Sequence, residues 1–130
     1  MIVVGLGKAG CNIAKAFSKF PQYETHSIDT TEDAEITILE CKSHEEYDEK
    51  FPALNLNIQN EDVLAIIAGS GKISGGSLRL LEQLQNNKIT VLYIEGDLTI
   101  MSDTQKKQER IVSSVLQEYA RSGAIEQIIM

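Results

Sequence analysis

The sequence predicts an α/β fold, a doubly wound and mostly parallel sheet in three layers, Rossmann-like, with strand order 3-2-1-4-5-6. Three observations predict it. Short apolar runs alternate with segments of helical spacing along the chain. Two of those runs, residues 1–5 and 62–68, are apolar enough to be strands buried on both faces. Each of these two passes through a glycine-rich segment into a helix.

The first strand is residues 1–5, and residues 9–19 carry Ile13, Ala14 and Phe17 at the spacing of a helix that Pro21 ends. Glu24 to Asp29 reads as the second strand and Glu35 to Glu40 as a third, at the edge. Only about five residues link these two, whereas a parallel crossover takes a dozen or more. A hairpin or shifted boundaries is therefore expected there. A short helix over His44 to Lys50 and irregular chain through Pro52 follow, then the strand Asp62 to Ala68. The next helix turns Leu78, Leu80, Leu81 and Leu84 toward a core, and Lys88 to Glu95 is another apolar strand. Ser102-Asp103-Thr104-Gln105 fits a capping box. The helix it opens has Ile111, Val112, Val115, Leu116 and Tyr119 as its apolar stripe. Lys106, Lys107, Glu109, Arg110 and Glu118 are available to water, and Gly123 is placed to end it. Ala124 to Met130 begins one more strand.

At 130 residues the chain is the size of one domain, and its 42% hydrophobic and 24% charged residues suit a globular protein without repeats or low-complexity tracts. The net charge of −7 argues against nucleic acid as a partner, because counterion release needs clustered Lys and Arg. Met1-Ile2-Val3-Val4 lacks a basic flank and is too short for a signal peptide or membrane span, so no membrane partner and a cytoplasmic location are expected. Cys11 and Cys41 are too few for a disulfide framework and are expected to be reduced.

The chemistry lies in the two glycine segments. Gly5-Leu6-Gly7-Lys8-Ala9-Gly10 is GxGxxG after a strand and before a helix, where glycines admit a close phosphate and the helix amides attract it. A tight turn without a ligand explains the same residues. Gly69-Ser70-Gly71-Lys72-Ile73-Ser74-Gly75-Gly76-Ser77 has the same setting and adds three hydroxyls. It is not a Walker A loop, since Ile66 stands five positions before Gly71 and Ile73 follows Lys72. Lys72 reads equally as a phosphate contact or a solvated lysine. In the predicted strand order both segments face one crevice, so a di- or triphosphate is the expected ligand.

At these residues the sequence resembles the tubulin and FtsZ family of GTPases. Gly7-Lys8-Ala9-Gly10-Cys11-Asn12-Ile13 resembles the family's first phosphate loop, with Asn12 at the position of an amide side chain set against the nucleotide. Gly71 to Ser77 resembles the signature GGGTGTG, keeping glycine at Gly71 and Gly75 and a hydroxyl at Ser74. Lys72 and Ile73 stand in place of glycines, and the final hydroxyl and glycine are exchanged as Gly76 and Ser77. This divergent signature is similar to that of tubulin-like proteins encoded by bacteriophages. The family's loop after the third strand has no glycine-bearing counterpart in residues 41–50.

The resemblance implies GTP or GDP as ligand and self-association into filaments. It implies a contact set of Gly7, Lys8, Ala9, Gly10, Cys11, Asn12, Asp29, Gly69, Gly71, Lys72, Ser74, Gly75, Gly76 and Ser77. It also implies that a long central helix and a second domain follow residue 130, and that acidic residues of a neighbouring subunit complete hydrolysis. This chain would carry the binding half of such a site, with no catalytic residue of its own.

An NAD-type Rossmann domain is the rival, because Asp29 follows Gly10 at about the 20 residues where an acid accepts from ribose hydroxyls. A degenerate fold kept for assembly without a ligand is the third reading. His26 and His44 lack partners at metal-ligand spacing, and no Ser-His-Asp or Cys-His pattern is visible. Glu45, Glu46, Asp48 and Glu49 read as a solvated helix face, with an Mg²⁺ contact as the lesser alternative. Cys11, near a helix N-terminus, reads as a packed small residue or as a thiol of lowered pKa. Gly75→Val is expected to abolish nucleotide binding and leave the fold intact.

Overall fold

β1 (Ile2–Leu6) is buried along its whole length, as an apolar strand covered on both faces must be. The computed structural model describes residues 1–69, 71–96 and 99–129. After β1 come α1 (Gly7–Phe17), β2 (Glu24–Asp29), β3 (Ile36–Thr37), α2 (His44–Lys50) and β4 (Asp62–Ala68). A 3₁₀ turn (Lys72–Gly76) leads into α3 (Ser77–Gln83), followed by β5 (Lys88–Ile94), α4 (Asp103–Ser122) and β6 (Gln127–Ile129). The strands form one six-stranded sheet in the order β3-β2-β1-β4-β5-β6, every neighbouring pair parallel. This is the predicted doubly wound order. Met130, the expected end of the last strand, lies outside the described residues.

The short link before β3 is not a hairpin. β3 pairs with β2 in parallel, but only through Ile28 with Ile36 and Asp29 with Thr37. Because the pairing involves only the last two residues of β2, the chain has to travel back only about two strand residues, roughly 7 Å, and needs no crossover helix. The return is pinned where the Glu35 N–H donates to Ser27 Oγ at 2.8 Å and Glu35 meets His26 Nδ1 at 3.1 Å.

Two apolar clusters mark the two faces of the sheet. The larger joins Val4, Leu6, Ile67 and Val91 to Tyr47 of α2, Leu80 and Leu81 of α3, and Val112 and Leu116 of α4. The smaller joins Val3, Leu64 and Ile66 to Ala14 of α1, with Ile13 and Phe17 packed beside them. Three helices thus cover one face and α1 alone the other among the described residues.

α4 begins at the predicted capping box, with the Gln105 N–H donating to Ser102 Oγ at 3.1 Å, and ends at Gly123, whose φ of 84° is left-handed. Its inward face differs from the expected stripe. Gln108 and Glu109 are buried with Val112 and Leu116, while Ile111 is 52% exposed. The rotation is held by Glu109, whose Oε1 accepts from the Gly96 N–H at 2.8 Å, so a residue expected in water instead closes the end of β5.

Candidate functional site

The first glycine segment contains almost no loop. β1 runs through Leu6 and α1 starts at Gly7, two residues before the expected start. Gly7 makes the turn at a φ of +78°, where side-chain-bearing residues are strained. Gly5 and Gly10 serve a close approach of helix to strand. A β-carbon on Gly5 would lie 2.2 Å from the Gly10 carbonyl oxygen, and one on Gly10 would lie 2.8 Å from that of Ile66. These two glycines are thus required by packing, whatever binds.

The start of α1 is nevertheless suited to an anion. Its first turn carries no acidic residue, and no side chain caps its leading amides. Those amides and the helix dipole together favour negative charge. Lys8, Cys11 and Asn12 line a groove of about 960 Å³ that also takes in Asp29, Thr30 and Thr31 at the end of β2. The groove exists because the link to β3 contains no helix, which leaves this side of α1 uncovered. Asp29 Oδ1 accepts from the Thr30 N–H at 2.8 Å. Its other oxygen makes no hydrogen bond among the described residues.

Cys11 is a packed residue. Its Sγ lies 3.4 Å from the Ile28 carbonyl oxygen, and burial, aided by the negative charge of Asp29, raises its pKa to about 11. The lowered thiol pKa considered from its position at the helix start is corrected by this: desolvation outweighs the dipole. Ala9 is half-buried in the same turn.

The second glycine segment adjoins the first, as the strand order requires. A β-carbon on Gly7 would be 2.7 Å from Ile73 Cγ2. Its polar groups, however, turn inward. Ser74 Oγ lies 3.0 Å from the Gly69 carbonyl oxygen, 2.6 Å from that of Gly71 and 3.2 Å from His44 Nε2. Gly75 faces the His44 backbone carbonyl too closely for a β-carbon, and one on Gly76 or Gly69 would make the Phe51 ring or the Tyr93 hydroxyl shift. Ser77 is buried. Ser70 lies outside the described residues.

The structure therefore divides the predicted residues. Lys8, Cys11, Asn12 and Asp29 share the groove beside α1, whereas Ser74, Gly75 and Ser77 line a separate cavity between α2, α3 and α4. This differs from the single crevice expected. α2 packs on the 3₁₀ turn and holds its hydroxyl, Ser74, through His44. Gly71 and Lys72 are the accessible part of the segment, with open space around Gly71 and Lys72 exposed. Gly75→Val is corrected as a test that spares the fold, since its side chain would enter the backbone of α2.

Sequence reasoning missed His44 as the partner of Ser74, because the two are thirty positions apart and His44 belongs to no spaced motif. It missed Tyr93 and Glu109 too; the Tyr93 hydroxyl donates to the Glu109 carbonyl at 3.3 Å and backs Gly69. Burial lowers the His44 pKa from its ordinary value of 6.5, against a smaller opposing effect of Glu45 and Asp48. The Ser74–His44 pair is not an activated nucleophile: the serine proton is directed at carbonyl oxygens, not at the imidazole.

Among the described residues, no group of three or more His, Cys, Asp or Glu side chains is arranged to hold a metal ion. No described helix is long and apolar enough to cross a membrane. Comparison of the chain with protein-family models, with curated proteins and with solved structures gives no match.

Proposed function

We propose that this chain is the guanine-nucleotide-binding domain of a tubulin/FtsZ-like protein that assembles into filaments, with the phosphates held at the start of α1. The observation that carries the binding claim is the uncapped, acid-free first turn of α1 opening beside the Lys8–Asn12–Asp29 groove. The choice of guanine and of filaments rests on the resemblance of Gly7 to Ile13 and of Gly71 to Ser77 to the family's two loops. In this reading the amides from Gly7 to Gly10 take the phosphates and Asn12 orients the nucleotide. Gly71 and Lys72 approach from the second segment, while Ser74 supports it from within. The free thiols Cys11 and Cys41 suit the reducing cytoplasm proposed as its location.

A second reading, an NAD-type dinucleotide domain, is favoured by one observation. Asp29 lines the same groove as Lys8 and Asn12 and has an oxygen left to accept from a ribose hydroxyl.

Calorimetric titration with GTP, GDP and NAD at matched concentrations separates these readings. Saturable GTP and GDP binding that weakens in Lys8→Ala and Asn12→Ala supports the first. Saturable NAD binding without GTP binding, lost in Asp29→Asn, replaces it with the second. Binding of none leaves the fold as an assembly element. Light scattering with and without GTP tests filament formation, and no phosphate release is expected from this chain alone.

A further inference from the structure

On the sheet face opposite α1, a cavity of about 290 Å³ opens between α2, the start of α3 and α4. Its walls are apolar: Leu78 from α3, and Val112, Val115 and Leu116 from α4. Ile111 stands at the same place and is 52% exposed, on a helix whose neighbouring residues face the core. His44 and Ser74 also line it but are bonded to each other, and two further polar features break the apolar surface. Ser77 is 4% exposed and its hydroxyl has no hydrogen-bond partner, although a buried hydroxyl without one is costly. Across the cavity, α2 contributes Glu45, Asp48 and Glu49.

The charges at this rim do not cancel. Asp48 lies 3.2 Å from Arg79 Nε, and Arg79 is shared with Glu82. Glu45 and Glu49 form no ion pair among the described residues. A small apolar cavity with one unpaired buried hydroxyl and two uncompensated carboxylates at its rim selects for a short hydrocarbon body carrying a positive charge. A carboxylate or phosphate ligand would be repelled.

We propose that this cavity is a binding site for a small primary amine, its hydrocarbon body against Leu78, Val115 and Leu116 and its ammonium group beside Glu45 and Glu49. The site shares no residue with the groove beside α1, so it stands or falls independently of the nucleotide reading.

The test is an NMR titration of the ¹⁵N-labelled chain with n-hexylammonium, using 1-hexanol and hexanoate as neutral and anionic controls at equal ionic strength. Saturable shifts are expected at the amides of α2, of α3 and of residues 111–116. The amine is expected to bind about 5- to 10-fold more tightly than either control, the scale set by two partly exposed carboxylates. The double substitution Glu45→Gln/Glu49→Gln should bring the amine to within about twofold of hexanol. Val115→Phe should fill the cavity and abolish binding. If that variant does not fold, Ile111→Lys at the exposed mouth should weaken the amine by placing a competing ammonium there. Hexanoate or hexanol binding as tightly as the amine overturns the proposal. So does an amine preference that survives the double substitution, or shifts that never saturate.

Discussion

Ser74 Oγ and His44 Nε2 lie 3.2 Å apart and fasten the second glycine segment to the first turn of α2. The two carbonyls near Ser74 can only accept, so its single proton goes to them and its oxygen accepts from the imidazole. His44 therefore carries a proton on Nε2, and burial favours the uncharged ring. Ser74→Ala strands the imidazole and removes the hydroxyl donor from the Gly69 carbonyl, while the Gly71 carbonyl keeps the Ser74 N–H. It should cost about 1–3 kcal/mol in urea unfolding, the range for buried polar groups left unpaired.

The same pair sets a pH dependence. Burial depresses the His44 pKa below 6.5 in the folded chain, so as pH falls through 6.5 the unfolded chain takes up a proton before the folded one does. Stability is therefore expected to be full above pH 6.5 and to fall as pH drops toward the folded-state pKa. His44→Gln keeps a donor to Ser74 and removes the titration. Melting temperatures from pH 7.5 to 5 should decline less steeply for this variant than for the natural chain.

Gly5 and Gly71 should respond in opposite ways to the same change. Gly5→Ala drives a methyl group into the Gly10 carbonyl, and overpacking of this kind costs about 1–3 kcal/mol. Gly71→Ala meets nothing within 4 Å and adopts an ordinary φ of −77°, so its stability should stay within about 0.5 kcal/mol of the natural chain. Denaturant midpoints decide this directly. Because it spares the fold, Gly71→Ala is also the sound replacement for Gly75→Val as a probe of nucleotide binding.

Cys11 should be a slow thiol. With its pKa at about 11, the thiolate present at pH 8 is on the order of 100-fold scarcer than in an ordinary cysteine. Iodoacetamide labelling followed by mass spectrometry should show Cys11 modified correspondingly more slowly than a cysteine-containing peptide. The raised pKa also means that the contribution of Cys11 to stability is complete below pH 9 and is lost as pH rises toward 11.

The elements that could be read from the sequence were those whose signal is local. β1 and β4 are continuous apolar runs, the α4 cap is a spaced pair, and the strand order followed from their succession. What could not be read depends on partners distant in sequence. Ile36 and Thr37 pair in parallel because the return loop is held by Ser27 and His26, which no periodicity records. The direction of the Ser74 hydroxyl is decided by His44, and the burial of Glu109 by the Gly96 amide. For the groove beside α1, Lys8 and Asp29 stood out by motif spacing and Asn12 by the family resemblance, and the three do line one groove. The inward turn of Ser74 was not legible, since it follows from its bond to His44 of α2.

The lone position of α1 on its face bears on how the chain opens. Its cluster has four buried members, Val3, Ala14, Leu64 and Ile66, whereas the other face is bound by three helices at once. Elements with fewer apolar contacts detach in sub-global fluctuations, so the amides of α1 should exchange with deuterium at lower protection than those of β4 or β5. An anion seated on the Gly7–Gly10 amides would add a contact at the junction of helix and strand. Its arrival would register as slower exchange along the whole of α1.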